Sequence, residues 1–262
     1  MKQRKESKSR RESDLELLRQ IEPIKLDHPA WGYRRVWAYL RYRQDVIVGK
    51  NRVYRILKEH HLLALDHRKL RAKRTPGRPK PTSTEPNKLW GIDMTKIKVE
   101  SWGWLYLVAV KDWASKKIVG WSLSTTSKTG DWLDALQMAV NKQFPEGIRE
   151  SAPVRLVSDN GCQPTSANFM AACKVLGIKQ IFTSFNNPKG NADTERLFRT
   201  MKEDLIWLQE WFSYQQLHTA LTAWIDRYNN DYPHSTINYL TPQQYEEQNT
   251  SHIALKYSLN LA

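Results

Sequence analysis

Cysteine is scarce in this chain: two residues of 262, Cys162 and Cys173. They form no C-x-x-C pair, and the seven histidines find no matching cysteine pairs, which excludes a zinc finger. Both thiols are read as free in a reducing cytoplasm. Long apolar runs are missing too. No stretch of eighteen apolar residues occurs, and the charged start lacks the apolar run of a signal peptide, so membrane insertion and secretion are not expected. No internal repeat is visible.

What the chain does have is positive charge, unevenly spread. Lys and Arg number 41 against 27 Asp and Glu, a net of +14 and a sequence pI near 9.7, which points to a polyanionic partner. Residues 1–80 hold 23 basic and 9 acidic side chains, so the entire excess sits in the first third and the remainder is neutral. A basic module that holds duplex DNA by counterion release, joined to a neutral domain with another task, fits this partition. A solubilising tail would also be basic, but it would not carry the helical periodicity found here.

From Ser13, Leu15, Leu18 and Ile21 suggest a helix that ends before His28-Pro29. Tyr33, Val36, Trp37 and Leu40 recur at i, i+3, i+4 and i+7, with Arg34, Arg35 and Arg41 off the stripe. After a break at Gln44 to Gly49, Val53, Ile56, Leu57 and His60 repeat the spacing, leaving Lys50, Asn51, Arg52 and Arg55 on the exposed side. Two such helices and a short turn resemble a helix-turn-helix whose second helix would read DNA. Arg34, Arg35, Lys50, Asn51, Arg52 and Arg55 are then candidate DNA contacts. A basic, solvated helical hairpin would show the same pattern.

Residues 67–80, HRKLRAKRTPGRPK, carry seven Lys or Arg, with Pro and Gly and no apolar period, as in an extended linker. Pro76-Gly77-Arg78-Pro79 looks like part of a minor-groove hook that would place Arg78 in the groove. A plain basic linker would read the same way.

Beyond Pro86 the texture turns to strands, Leu89 to Val99, Trp104 to Val110 and Lys117 to Leu123, in succession as a meander. A helix around Trp132 to Val140, a strand Val154 to Ser158, a helix Asn168 to Leu176 and a strand Lys179 to Thr183 then alternate, the signature of parallel pairing. The expected class is α/β, a ribonuclease-H-like mixed sheet with flanking helices, preceded by a small all-α module. The expected domains are a helix-turn-helix-like module over 1–66, a linker over 67–86, a catalytic domain over 87–246 and a tail over 247–262.

Three acids stand out. Asp93 lies inside an otherwise apolar strand, where an unpaired carboxylate costs several kcal/mol. Asp159 follows a strand within S-D-N-G, at the carboxyl edge where α/β sheets bind ligands. Glu195 lies on a helical pattern that packs through Phe198, Met201 and Leu205, with Arg199 and Lys202 on its own face; Asp193, half a turn round, points elsewhere. Singly these could be a polar bulge, a capped turn and a surface position. Together, on separate elements of one sheet, they could hold two magnesium ions by oxygen ligands. Asp112 also follows a strand and is read as shaping the hairpin to the next one.

The flanks V-S-D-N-G and G-N-A-D-T-E-R-L-F-R-T-M-K, and the 35 residues between Asp159 and Glu195, resemble those of bacterial insertion-sequence transposases of the DDE, retroviral-integrase superfamily. The similarity is closest to the second-reading-frame (OrfB) product of the insertion-sequence-three family and covers roughly residues 30–246. It implies Asp93, Asp159 and Glu195 as catalytic, metal-binding residues for two Mg2+, with Mn2+ substituting, and Lys202 as a contact to terminal DNA, beside Arg199. It further implies strand cleavage and transfer on terminal repeats and target DNA, a homo-oligomer on DNA, an upstream reading-frame product or fusion as partner, and a nucleoid-associated protein of the cytoplasm. The segment R-Y-N-N-D-Y-P-H-S-T-I-N-Y-L-T-P resembles the family's Y-N-x-x-R-P-H, with Tyr232 where arginine is usual. Two other classes remain open on the residues alone: a DNA-binding regulator that does not cut, and a ribonuclease-H-type nuclease acting on RNA–DNA hybrids.

Overall fold

The computed structural model describes residues 8–64, 81–183 and 191–249. The proposed hook with Arg78, the basic run 67–80 and the tail beyond 249 lie outside the described residues. The chain divides into two compact units: residues 1–72 with Pro233–Tyr239, and residues 73–232 with 240–262.

The first unit is helical: α1 (Lys8–Asp27), α2 (Tyr33–Arg43) and α3 (Lys50–Glu59). Its core is Leu17, Leu18, Ile21 and Ile24 of α1, Trp31 just before α2, Val36 and Leu40 of α2, and Val53, Ile56 and Leu57 of α3, all buried. The stripes expected for α2 and α3 are therefore packing faces, with Tyr33 and Trp37 at the half-buried margin. Three details differ from expectation: Leu15, named for the stripe of α1, is exposed while Leu17 packs instead. α1 begins at Lys8, before Ser13, because its polar first turn carries no apolar period; His60 is the exposed cap of α3 and packs nothing.

The second unit is built on a five-stranded sheet of β1 (Leu89–Val99), β2 (Gly103–Asp112), β3 (Ile118–Ser124), β4 (Val154–Ser158) and β5 (Ile178–Phe182), in the order β3-β2-β1-β4-β5. β1–β2 and β2–β3 are antiparallel, while β1–β4 and β4–β5 are parallel. The meander feeding a parallel half is the mixed, ribonuclease-H-like sheet expected from the strand pattern. α4 (Thr129–Gln143) and α5 (Ala167–Val175) cover the sheet, joining Trp132, Leu136 and Phe169 to Trp90, Val108 and Leu156 in one buried core. α4 lies tight on β3 because Gly120 has no Cβ; one there would collide with the Ala135 carbonyl and Ala139. α6 (Ala192–Asp204) and α7 (Tyr214–Asn230) complete the unit, and residues 242–249 are helical. No described helix is long and apolar enough to cross a membrane.

Asp112 is fully buried and shapes the β2–β3 connection as expected. Its carboxylate accepts from Ala114 N–H at 3.3 Å, Ser115 N–H at 3.1 Å and the Ser115 hydroxyl at 2.6 Å.

Candidate active site

β1 and β4 are adjacent parallel strands whose ladder ends with Gly91 opposite Val157. Asp93 and Asp159 each lie two residues beyond that last rung, so strand register brings their backbone positions to the same level, at the carboxyl end of β4. Past Ser158 the chain turns: Asp159 accepts from Gly161 N–H at 3.0 Å, and the Asn160 side chain donates to the Thr183 carbonyl. The following loop is tied down by Gln163, whose side-chain NH2 donates to the Ser127 carbonyl and hydroxyl, both at 2.9 Å.

Glu195 arrives from α6, which docks on the same end of β1. Gly91 has no Cβ, and one there would meet Thr194 Oγ1 and the Trp113 indole, so the glycine leaves the space through which Thr194 of α6 packs on the strand. Asn191, just before α6, is buried; its NH2 donates to the Ile92 carbonyl at 3.3 Å, and its backbone carbonyl takes the Glu195 N–H at 3.1 Å. Glu195 thus sits in the first turn of α6, exposed, near the positive end of the helix dipole. Asp193 points elsewhere as expected: it pairs with Lys116 at 3.4 Å, and Lys111 Nζ donates to its backbone carbonyl at 3.1 Å.

Asp93 is the electrostatic focus. Burial pushes its carboxyl up to about 7; the Met94 N–H, donating to it at 2.8 Å, works against this, the charges of Asp159 and Glu195 add to it, and Lys202 relieves it. Four of the residues named from the sequence therefore share one electric field. Among the described residues, however, no three His, Cys, Asp or Glu side chains stand close enough to enclose one ion. The acids feel one another without closing on a common point. The donor chemistry suits a hard divalent cation, since three carboxylates supply only oxygen. A further acceptor, Asn191 Oδ1, is buried with no hydrogen-bond partner among the described residues.

The other named residues divide. Arg199 is engaged along its own helix with Glu203 at 2.7 Å. Arg34 is exposed and leans over Tyr33, with 5.6 Å from its guanidinium carbon to the ring centroid, and Arg35 lies 5.7 Å over Trp31. Lys50 and Asn51 are exposed at the start of α3. Arg52 and Arg55 are not on an open face: Asp14 of α1 takes Arg52 Nε at 2.7 Å and Arg55 at 2.5 Å, leaving both half-buried. Sequence reasoning missed this clasp because Asp14 lies a helix away from the arginines it holds. It also passed over Gly91, Thr194 and Asn191, although a glycine within a strand two residues before Asp93 is a signal of close backbone approach.

Two models, each described as an integrase core domain, match residues 83–188 and 176–242, and a model of an HTH-like domain matches residues 12–69. The chain is 24% identical over 246 residues to the transposase InsD for insertion element IS2A/D/F/H/I/K of Escherichia coli, covering 92% of this chain and 81% of that one. InsD for insertion element IS2-9 of strain K12 matches at the same identity, over 92% of this chain and 80% of its own length. Among solved structures, the cryoEM structure of a simian T-cell lymphotropic virus intasome in complex with PP2A regulatory subunit B56 gamma aligns with a TM-score of 0.52 at 17% identity, over 80% of this chain and 73% of that one, a likeness of fold. With an integrase core running from β1 through α7 and an HTH-like domain before it, the chain belongs, together with the insertion-sequence transposases, to the DDE/integrase superfamily.

Proposed function

We propose that this protein is a DNA transposase that cleaves and joins strands at the ends of an insertion sequence, with Asp93, Asp159 and Glu195 holding divalent metal. The observation that carries the reading is Asp93, a carboxylate inside a core strand whose charge is opposed by burial and by two neighbouring acids. Nature retains such a group where an incoming positive charge compensates it. The three carboxylates would hold two magnesium ions, which would supply Lewis acidity towards a water or 3′-hydroxyl and towards charge on the leaving oxygen.

The chain's own residues do the rest. Asp93 is fixed by its strand and Met94 N–H, Asp159 by its turn, and Glu195 by the docking of α6 on Gly91. Lys202, two turns after Glu195 on the same face, supplies a cation for a phosphate beside the carboxylates. Exposed Arg34, Lys50 and Asn51 of the helical unit contact the duplex, while Arg52 and Arg55 shape α3 through Asp14. The active form is an oligomer on DNA, associated with the nucleoid, and an upstream reading-frame product contributes to end recognition.

The test is a strand-transfer assay of the purified chain with labelled duplexes carrying candidate element ends, in Mg2+, Mn2+ or chelator. Metal-dependent nicking and joining of duplex ends is expected. Preferential cleavage of RNA–DNA hybrids would instead identify a ribonuclease, and duplex binding with no cleavage in either metal would identify a regulator.

A further inference from the structure

The segment Pro233–Tyr239 comes from the far end of the sequence, beyond α7, yet it belongs to the compact helical unit. Its last residue, Tyr239, meets the N-terminal helices through aromatic rings. The ring lies 5.4 Å from Trp37 of α2, edge-on, and 6.2 Å from Tyr42, stacked at 20°. The ammonium of Lys50 lies against this pair, 4.2 Å from the Trp37 centroid and 5.4 Å from that of Tyr239. Both distances lie within the range of a cation–π contact.

Backbone geometry delivers Tyr239 to this place. Asn238 and Tyr239 adopt φ of 57° and 61°, and the Tyr239 N–H closes the turn on the His234 carbonyl at 2.8 Å. A tyrosine in the left-handed region is strained, because its Cβ crowds the backbone there. Hydrophobic burial offsets little of that, because the cluster lies at the surface, with Tyr42 50% exposed. Trp37 is itself fixed, its indole N–H donating to the Val48 carbonyl at 2.8 Å, in the connection that leads into α3.

Lys50 is the first residue of α3, with no acid in the first turn, and it remains exposed. The two rings therefore hold the ammonium in place without hiding it. A free lysine loses side-chain freedom when a phosphate immobilises it; one already held against two rings loses less.

We propose that Tyr239, with Trp37, is a positioning residue for Lys50, so that the strap Pro233–Tyr239 completes the DNA-contacting face of the helical unit. The inference rests on the reading of α3 as a DNA-contacting helix. It also gives the P-H-S-T-I-N-Y motif a task outside the catalytic unit in which its neighbours lie.

The test uses the full chain and a fluorescent duplex, with affinity read by anisotropy, for Lys50→Ala, Tyr239→Leu, Tyr239→Phe and the double variant Lys50→Ala with Tyr239→Leu. Leucine keeps apolar bulk and loses the π face; phenylalanine keeps the face. Expected are a loss of about threefold for Tyr239→Leu, wild-type binding for Tyr239→Phe, and a double variant no weaker than Lys50→Ala alone. Equal binding by the Leu and Phe variants, tighter binding by Tyr239→Leu, or additive losses in the double variant overturn the proposal. If Lys50→Ala binds as wild type, the reading of α3 falls and takes this inference with it; if Lys50→Ala is weakened and Tyr239→Leu is not, the inference alone falls.

Discussion

The indole N–H of Trp113 donates to Thr194 Oγ1 at 3.3 Å, directly over the Cα of Gly91. This buried bond joins the end of the β1–β2 hairpin to the first turn of α6, and so joins the strand of Asp93 to the helix of Glu195. Gly91→Ala places a methyl group onto both partners and 2.9 Å from Trp113 Cε2, in a core with no room to yield. Overpacking of this kind costs about 1–3 kcal/mol. Thermal unfolding should show that loss, and strand transfer should fall further than the stability change explains, because α6 carries Glu195 with it. Wild-type activity in Gly91→Ala would show that the spacing of α6 from β1 does not set the site.

Asp93 opposes the fold it belongs to while no cation is bound. Its partly buried charge is opposed by desolvation and by the charges of Asp159 and Glu195, so Asp93→Asn should stabilise the metal-free protein at neutral pH, by on the order of 2 kcal/mol. In wild type, Mg2+ should raise the unfolding temperature through preferential binding to the folded state, and that rise should be absent in Asp93→Asn. Duplex binding should persist in Asp93→Asn, in Asp159→Asn and in Glu195→Gln while cleavage is lost in each. An Asp93→Asn protein less stable than wild type without metal would mean that the carboxylate is held by partners rather than left wanting one.

Much of this was legible in the sequence, and the reasons are local. β1 and β4 run over the spans expected, Leu89–Val99 and Val154–Ser158, because apolar alternation and a bounded apolar run mark a strand without help from elsewhere. α5 and β5 each lie one residue from expectation, at ends where the flanking residues carry no period. Asp93, Asp159 and Glu195 stood out because a charge in an apolar strand and an acid at a strand's carboxyl end are local anomalies. Contacts between distant residues left no such trace. Asp14 reaches Arg52 and Arg55 across 38 and 41 residues, and Tyr239 joins a unit whose helices end near residue 60.

The clasp of Asp14 gives the helical unit a pH dependence of known sign. Burial pushes the Asp14 carboxyl up, but hydrogen bonds from Arg55 and Arg52 and their charges outweigh it, and the net pKa lies below 3.8. A depressed pKa means stability fully present above 3.8 and lost as pH falls through the folded value. Asp14→Asn should therefore be less stable than wild type at neutral pH, by about 1–2 kcal/mol for a partly buried pair. The gap in helix-unfolding midpoint, followed by circular dichroism, should close as the pH is lowered past 3.8. A gap that stays constant from neutral to acid would mean that asparagine fails for reasons of shape and not of charge.

Asp193 and Glu195 make a controlled pair, two acids in one helical turn with opposite assignments. Two residues along an α-helix are about 200° of rotation, so one carboxylate cannot replace the other. Asp193 is taken up by Lys116 at 3.4 Å, with both side chains largely buried, at 15% and 23% exposure, whereas Glu195 is exposed and adds its charge to the field at Asp93. Asp193→Asn should lower stability by about 1 kcal/mol through the weakened pair, and it should keep the Mg2+-dependent rise in unfolding temperature. Glu195→Gln should do the reverse, leaving metal-free stability unchanged or slightly higher while the response to Mg2+ shrinks and strand transfer stops. The measurement is the unfolding temperature of each variant across a Mg2+ titration, beside a cleavage assay on the same preparations. If Asp193→Asn loses the metal response and Glu195→Gln keeps it, the two roles are exchanged, and α6 must turn by about half a revolution from the position described here when the ion binds.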